Sequence, residues 1–166
     1  MHMRGQAERR FAVTLTHVAR FQFSSQAHED GVLHGASYAS DEPDPIGDCN
    51  GPSTPALLAS AIGHCLSASL YEMFRHAGIG VLGYRTEAVA VVAPNAEGLP
   101  RIKRVEVRLE PELDRESGNI QRCIDTFERH CTVCQSVRAA FPIDVTVDYR
   151  VTSKDASSGD VIATFV

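Results

Sequence analysis

The stretch from Ser53 to Gly78 constrains this chain most, because it reads as one long, charge-poor helix that other structure must surround. Ser53 or Thr54 supplies an N-cap oxygen, Pro55 fits the first turn, where its missing N–H costs nothing, and Gly78 fits the stop. Leu58, Ile62, Cys65, Ser69 and Met73 recur on one side at helical spacing, with Leu57 and Ala61 beside them. Ala, Ser and Gly fill much of the remaining circumference between Ala56 and Ser69. Side chains this small let neighbouring backbones come close, so burial on several sides is expected. Cys65 then lies mid-helix in packed surroundings, where a free cysteine is often no more than a small hydrophobe.

Strand patterns flank the helix. Phe11, Val13 and Leu15 alternate with Ala12, Thr14 and Thr16, a second extended stretch covers Arg20 to Ser25, and Glu29-Asp30-Gly31 reads as a turn. Ser40 to Pro52 is too rich in Gly and Pro for regular structure. Two strands follow, Arg85 to Val92 and Arg101 to Leu109, joined through Pro94 to Gly98. A second helix is expected from Ser117 to His130, with Ile120, Cys123, Ile124, Phe127 and Cys131 as its apolar stripe. A short third helix covers Val133 to Ala140, and Ile143 to Val151 alternates as a strand. Ser153 to Gly159 reads as a polar linker, with an edge strand over Val161 to Val166. This order predicts an α+β fold with an antiparallel sheet.

At 166 residues the chain is expected to form a single domain over residues 11–152, with a flexible N-terminus over 1–10 and a C-terminal tail over 153–166. The hydrophobic content of 43% marks it as globular, and a net charge of −5 with no basic stripe argues against nucleic acid. No apolar run approaches the roughly 20 residues that span a bilayer, so no membrane role is expected. The start lacks the apolar stretch of a signal peptide, and an odd count of five cysteines suits the reducing cytoplasm. Neither a glycine-rich phosphate loop nor a nucleophile elbow is present.

The chemistry then rests on thiols. Besides Cys65, the run His130-Cys131-Thr-Val-Cys134-Gln-Ser sits where one helix pattern ends and another begins. A thiol attacks only as the thiolate, which helix termini and neighbouring cations favour. If folding unites the two segments, the chain holds an attacking thiol and a resolving partner.

Gly51-Pro-Ser-Thr-Pro-Ala-Leu-Leu-Ala-Ser-Ala-Ile-Gly-His-Cys65-Leu resembles the first signature of the OsmC/Ohr family, a Pro-containing turn leading into a small-residue helix with a reactive cysteine. Glu128-Arg-His-Cys131-Thr-Val-Cys134-Gln-Ser resembles the second, a cysteine preceding a short helix, and the element order matches from about Phe11 to Tyr149. The resemblance implies an OsmC-like fold, with antiparallel sheets packed around a long central helix in an intertwined homodimer. It further implies a cofactor-free peroxidase for organic hydroperoxides, with Cys65 as peroxidatic thiolate and Cys131 as resolving thiol. An external dithiol would then reduce the disulfide, and family precedent points to a lipoylated protein.

Three departures qualify that resemblance. Active hydroperoxide reductases of the family place an arginine and an acid around the first cysteine; Arg20 is the candidate arginine, against the plainer reading of an exposed strand-end side chain. The acid expected just inside the helix is replaced by Pro55 and Ala56, leaving Asp48 or Glu72 as substitutes. Cys134 stands where a small hydroxyl residue is common, and it creates a C-x-x-C with Cys131. Cys134 could resolve the sulfenic acid in place of Cys131 or act as a second exchange partner. The three cysteines with His64 or His130 could instead ligate zinc, although a lone C-x-x-C is a weak zinc motif. A non-catalytic dimeric binding module, with the cysteines as packing, is the reading from a different class. Cys49 and Cys123 are expected to be bystanders.

Overall fold

The computed structural model describes residues 8–152 and 162–165. The chain divides into two compact units, Met1–Leu57 and Leu58–Val166.

The first unit is a three-stranded antiparallel meander of β1 (Phe11–Ala19), β2 (Gln22–Glu29) and β3 (Val32–Ser40). Asp30-Gly31 forms the second hairpin turn with φ of 47° and 84°, the left-handed pair that a two-residue hairpin favours. Arg20 and Phe21 form the first turn, since Ala19 pairs with Gln22 and Arg20 has φ of 45°. The expected second strand therefore starts two residues later than Arg20. Strand β3 was not anticipated, because Leu33-His34-Gly35-Ala36-Ser37 carries little period-2 contrast. The pairings Phe11–Glu29–Val32 and Leu15–Ser25–Tyr38 put Phe11, Leu15, Val32 and Tyr38 on one face of the sheet. Phe11, Leu15 and Val32 are 71%, 58% and 62% exposed on the two outer strands of that face, with Glu29 and Ser25 between them on β2.

Residues 41–53 are irregular, as their Gly and Pro content predicts, but they are tied down. The buried Asp41 carboxylate accepts backbone N–H groups from Glu42, Asp48 and Asn50 at 2.8, 3.1 and 3.1 Å. Those amides, Asn50's foremost, hold its pKa below the usual carboxylate value. A Cβ at Gly47 would lie 2.0 Å from the Glu42 carbonyl oxygen, so only glycine fits inside this loop.

The second unit is built on the long helix α1 (Thr54–His76), which begins at the boundary between the units. Gly78, at φ 70°, ends it: Ile79 N–H reaches Phe74 O and Gly78 N–H reaches Arg75 O, which satisfies the last carbonyls. The buried stripe is Ala59, Ile62, Gly63, Leu66, Leu70 and Phe74. This stripe is rotated from the expected one, and Cys65 falls at its margin, only half-buried. The rotation follows from close approach. A Cβ on Gly63 would stand 3.1 Å from the Ala88 Cβ, and Ser67 Oγ bonds Thr86 Oγ1 at 2.6 Å, so the glycine side of the helix lies against a strand.

That strand is β4 (Val81–Pro94), paired antiparallel with β5 (Pro100–Leu113); β6 (Ile143–Val151) and β7 (Ile162–Phe165) complete the order β4-β5-β6-β7. The sheet is mixed, not purely antiparallel, because β5 and β6 run parallel. The connection between them carries the short helices, and such a crossover returns the chain in the same direction. Val105, Val107, Leu109 and Leu113 of β5 are buried on one face against Ile62, Leu66, Leu70 and Phe74 of α1. Each such side chain contributes roughly 1.5–3 kcal/mol on burial.

The crossover keeps the expected short third helix but breaks the helix expected from Ser117 to His130. It contains α2 (Ile120–Thr126), a 3-10 turn (Phe127–His130) and α3 (Thr132–Val137). The predicted stripe survives the break, since Ile120, Cys123, Phe127 and Cys131 are all buried. Cys131 has extended backbone angles, φ −78° and ψ 102°, because it caps α3. The predicted linker, Ser153 to Gly159, lies outside the described residues, as do Val161 and Val166. The edge strand over 162–165 is present and pairs antiparallel with β6. Among the described residues, no helix is long and apolar enough to cross a membrane.

Candidate functional site

Two elements of the second unit bring three sulfurs together. Helix α1 carries Cys65 at the margin of its buried stripe, and the N-terminus of α3 carries Cys131 and Cys134. Cys131 occupies the N-cap, where Ser, Thr, Asp or Asn usually sits, and its Sγ accepts the Cys134 backbone N–H at 3.3 Å. Cys131 and Cys134 are both fully buried, and none of the five cysteines is disulfide-bonded.

Cys131 is the middle member of the trio. Its ionisation is coupled to the Cys65 thiol on one side and the Cys134 thiol on the other, whereas Cys65 acts on Cys134 through charge alone. The backbone N–H groups of Val133 and Thr132 are directed at the Cys65 sulfur. These amides are the functional groups that sequence reasoning missed. A main-chain donor leaves no residue-type signature, and only the turn before α3 aims it.

The electrostatics are uneven. Burial pushes the Cys65 thiol above its ordinary value of 9.0, contact with Cys131 pushes the same way, and the two amides oppose both. A depressed Cys65 pKa was the expectation for a ready nucleophile; in this chain the direction is upward, and no cation ranks among the main influences. Cys131 is pushed up further, first by Cys134 and then by burial. Cys134 goes down, because the Cys131 thiol donates to it and Arg138 adds positive charge, despite the opposing cost of burial.

Arg20 belongs to the first unit. Its guanidinium pairs with the Asp48 carboxylate and donates to the carbonyls of Pro45 and Ile46 at 3.4 and 3.0 Å. Asp48 is thus the acid that accompanies the candidate arginine. Glu72, the other candidate, pairs with Arg75 at 2.7 Å on its own helix turn, which holds its pKa near about 2. His64 and His130 are exposed. Among the described residues, no group of three or more His, Cys, Asp or Glu side chains is arranged to hold a metal ion. Cys123 is buried, with its Sγ 3.6 Å from the Met73 carbonyl, and Cys49 is exposed in the 41–53 loop; neither joins the trio.

Comparison with known proteins bears on the same region. Comparison with curated proteins finds no match. Among solved structures, a putative osmotic stress induced and detoxification response protein from Psychrobacter arcticus aligns with 17% identity and a TM-score of 0.66, covering 89% of this chain and 99% of that one. An OsmC-like protein from Vibrio cholerae aligns with 14% identity and a TM-score of 0.65, covering 86% and 99%. An organic hydroperoxide resistance protein from Legionella pneumophila aligns with 12% identity and a TM-score of 0.62, covering 86% and 98%. At these identities the structures establish the fold. The profile of the family described as OsmC-like protein matches residues 47–146, more than half of the chain, and this span takes in all three thiols. The chain is therefore a member of the OsmC-like protein family.

Proposed function

We propose that this protein is a thiol-dependent peroxidase that reduces organic hydroperoxides. The observation that carries the reading is the half-buried Cys65, with two backbone amides on its sulfur and the Cys131 thiol in contact. The Cys65 thiolate attacks the terminal peroxide oxygen, the O–O bond breaks, and the alcohol leaves with a proton. The resulting sulfenic acid meets a thiol without any large movement: Cys131 attacks the Cys65 sulfur, the S–S bond forms, and water leaves. Cys134 is the alternative resolver, although it reaches Cys65 less directly.

Arg20, held by Asp48, is assigned as the cation that makes Cys65 ionise at neutral pH, a role the family resemblance implies. The working form is assigned as a homodimer, which would cover the apolar face bearing Phe11, Leu15 and Val32. An external dithiol, of the kind a lipoylated protein carries, completes the cycle in the cytoplasm. Cys65, like Leu58 and Val133, packs partly buried against the core, so bulky apolar hydroperoxides are the expected substrates over hydrogen peroxide.

Peroxide consumption by Cys65→Ser tests the assignment. The variant is expected to lose turnover while keeping the wild-type oligomeric state, and unchanged turnover would reject the role. One observation favours the second reading, a non-catalytic binding module: the upward pKa of Cys65. Alkylation of Cys65 that stays slow at every native pH would support that reading.

A further inference from the structure

The sheet of the second unit has an outer face that the thiol chemistry does not use. Val105, Val107, Leu109 and Leu113 of β5 are buried toward α1, so Glu110 and Glu112 point to the opposite side. Leu109 pairs with Val147 and Glu112 with Arg150, which puts Asp148 and Arg150 on that same outer side. Across the other ladder, Arg85 pairs with Glu110 and Gly83 with Glu112. These six residues line a groove of about 340 Å³, at the small end of ligand-binding cavities.

Asp148 is its most buried charged member, and half of its carboxylate is unsatisfied. The side chain is 10% exposed; Oδ2 accepts Arg108 Nε at 2.6 Å, and Oδ1 is buried with no hydrogen-bond partner among the described residues. A buried acceptor left unpaired is costly, and more so when it is charged. With Oδ2 committed to Arg108, Asp148 offers one anionic oxygen, which suits a charged N–H donor.

The charges around that oxygen are layered. Asp148, Glu112 and Glu110 lie deep, at 10%, 25% and 31% exposure, whereas Arg85 and Arg150 lie shallow, at 68% and 60%. Arg85 pairs with Glu110 at 2.7 Å and Arg150 with Glu112 at 2.8 Å, so the walls balance in charge. Such a groove selects a ligand that is itself balanced, with its cation below and its anion above. A guanidinium carries five N–H donors, so Arg85 can hold Glu110 and a ligand carboxylate together. Arginines this exposed can swing aside, which opens a path to Asp148 Oδ1.

We propose that this groove binds a small zwitterion of the amino-acid type, its ammonium on Asp148 Oδ1 and its carboxylate on Arg85. Gly83 keeps the groove open. A Cβ there would stand 3.3 Å from Glu112 Oε2 and 3.8 Å from Glu112 Cβ, so any larger residue projects among the same side chains.

The test titrates L-alanine into the nitrogen-15-labelled full-length protein and follows backbone amide shifts, to about 50 mM, beyond the roughly 1 mM Kd of a weak small-molecule complex. Saturable shifts are expected at Gly83, Arg85, Glu110 and Asp148 and their strand neighbours. N-acetyl-L-alanine, which lacks the ammonium, and L-alaninamide, which lacks the carboxylate, should each bind at least about tenfold more weakly. Asp148→Asn should weaken L-alanine by a similar factor. Arg108 holds the amide oxygen of the new side chain, which leaves an NH2 donor where Oδ1 accepts. Gly83→Val should block the groove and keep the fold, because valine suits a strand.

No saturable shift in the wild type overturns the site, as does saturation confined to other parts of the chain. Asp148→Asn or Gly83→Val that binds L-alanine as tightly as the wild type overturns it too. Either alanine derivative binding as tightly as L-alanine overturns the zwitterion, and this comparison needs no variant to fold. None of these outcomes touches the peroxidase reading, since the thiols lie on the other side of the sheet.

Discussion

Replacing Arg20 with alanine should change the pH dependence of Cys65 in a way that separates electrostatic activation from loop support. Burial and the Cys131 thiol push Cys65 above its ordinary value, which disfavours the thiolate at neutral pH. A guanidinium close to a thiolate typically lowers its pKa by about 1 to 3, which raises the neutral-pH thiolate about 10- to 1000-fold. Intrinsic nucleophilicity falls with pKa, by a Brønsted slope of about 0.4–0.5, and that cancels nearly half the gain on a logarithmic scale. The net expectation is that Arg20→Ala slows the reaction of Cys65 about 3- to 30-fold at pH 7. On the high-pH plateau, where both thiols are ionised, the order should reverse or vanish, because the variant's thiolate is the more basic and intrinsically the more nucleophilic.

The assay is the rate of Cys65 alkylation from pH 6 to 10.5, on a background with Cys49→Ser and Cys123→Ser, repeated for reaction with cumene hydroperoxide. Because Arg20 also bonds the Pro45 and Ile46 carbonyls, Arg20→Lys and Asp48→Asn serve as controls for loop integrity. Wild-type and Arg20→Ala curves that are parallel, with the same midpoint, would refute the reasoning. So would a wild-type midpoint above 9.0, which would mean that no cation reaches the thiol.

Three further perturbations bear on the fold and the assembly. Leu66, fully buried beside Cys65, should cost about 2–5 kcal/mol when cut to alanine, read from urea unfolding; a loss below about 1 kcal/mol would contradict its place in the core. The double substitution Phe11→Asp and Leu15→Asp should convert a dimer to a monomer by light scattering, because it charges an apolar sheet face; an unchanged mass would show that this face is not the interface. Glu72, whose pKa is depressed from 4.5 to about 2 by Arg75, should support stability fully above pH 4.5 and lose that contribution as pH falls toward 2. The difference between wild type and Glu72→Gln in acid unfolding measures it, and a difference undiminished between pH 5 and pH 2 would refute the ion-pair origin.

Local chemistry made much of this protein legible as text. The N-cap region, Pro55 and Gly78 delimit α1 because helix ends must satisfy backbone groups, and few residue types do so. Strand β6 matches its predicted bounds because Ile143, Val145, Val147, Tyr149 and Val151 alternate with polar residues along their whole length. The two cysteine segments were readable as a pair for a similar reason: small residues around Cys65 and a helix start at Cys131 are local patterns.

What failed to show in the sequence depended on contacts between distant segments. The buried face of α1 is set by Gly63 approaching Ala88, so it runs through Leu66 and Leu70, and helical periodicity alone placed Cys65 on the wrong side of that boundary. The parallel pairing of β5 with β6 comes from the crossover between them, which no strand's own pattern encodes. The tightening of the expected helix into a 3-10 turn over Phe127–His130 leaves no mark on the apolar stripe, which runs through it unbroken. The sequence by itself determined which thiols this chain has and which local elements carry them. Tertiary structure alone decided that Cys131 stands between the other two, that two main-chain amides face Cys65, and that Arg20 pairs with Asp48. Those are matters of distance and direction in three dimensions, and residue type constrains neither.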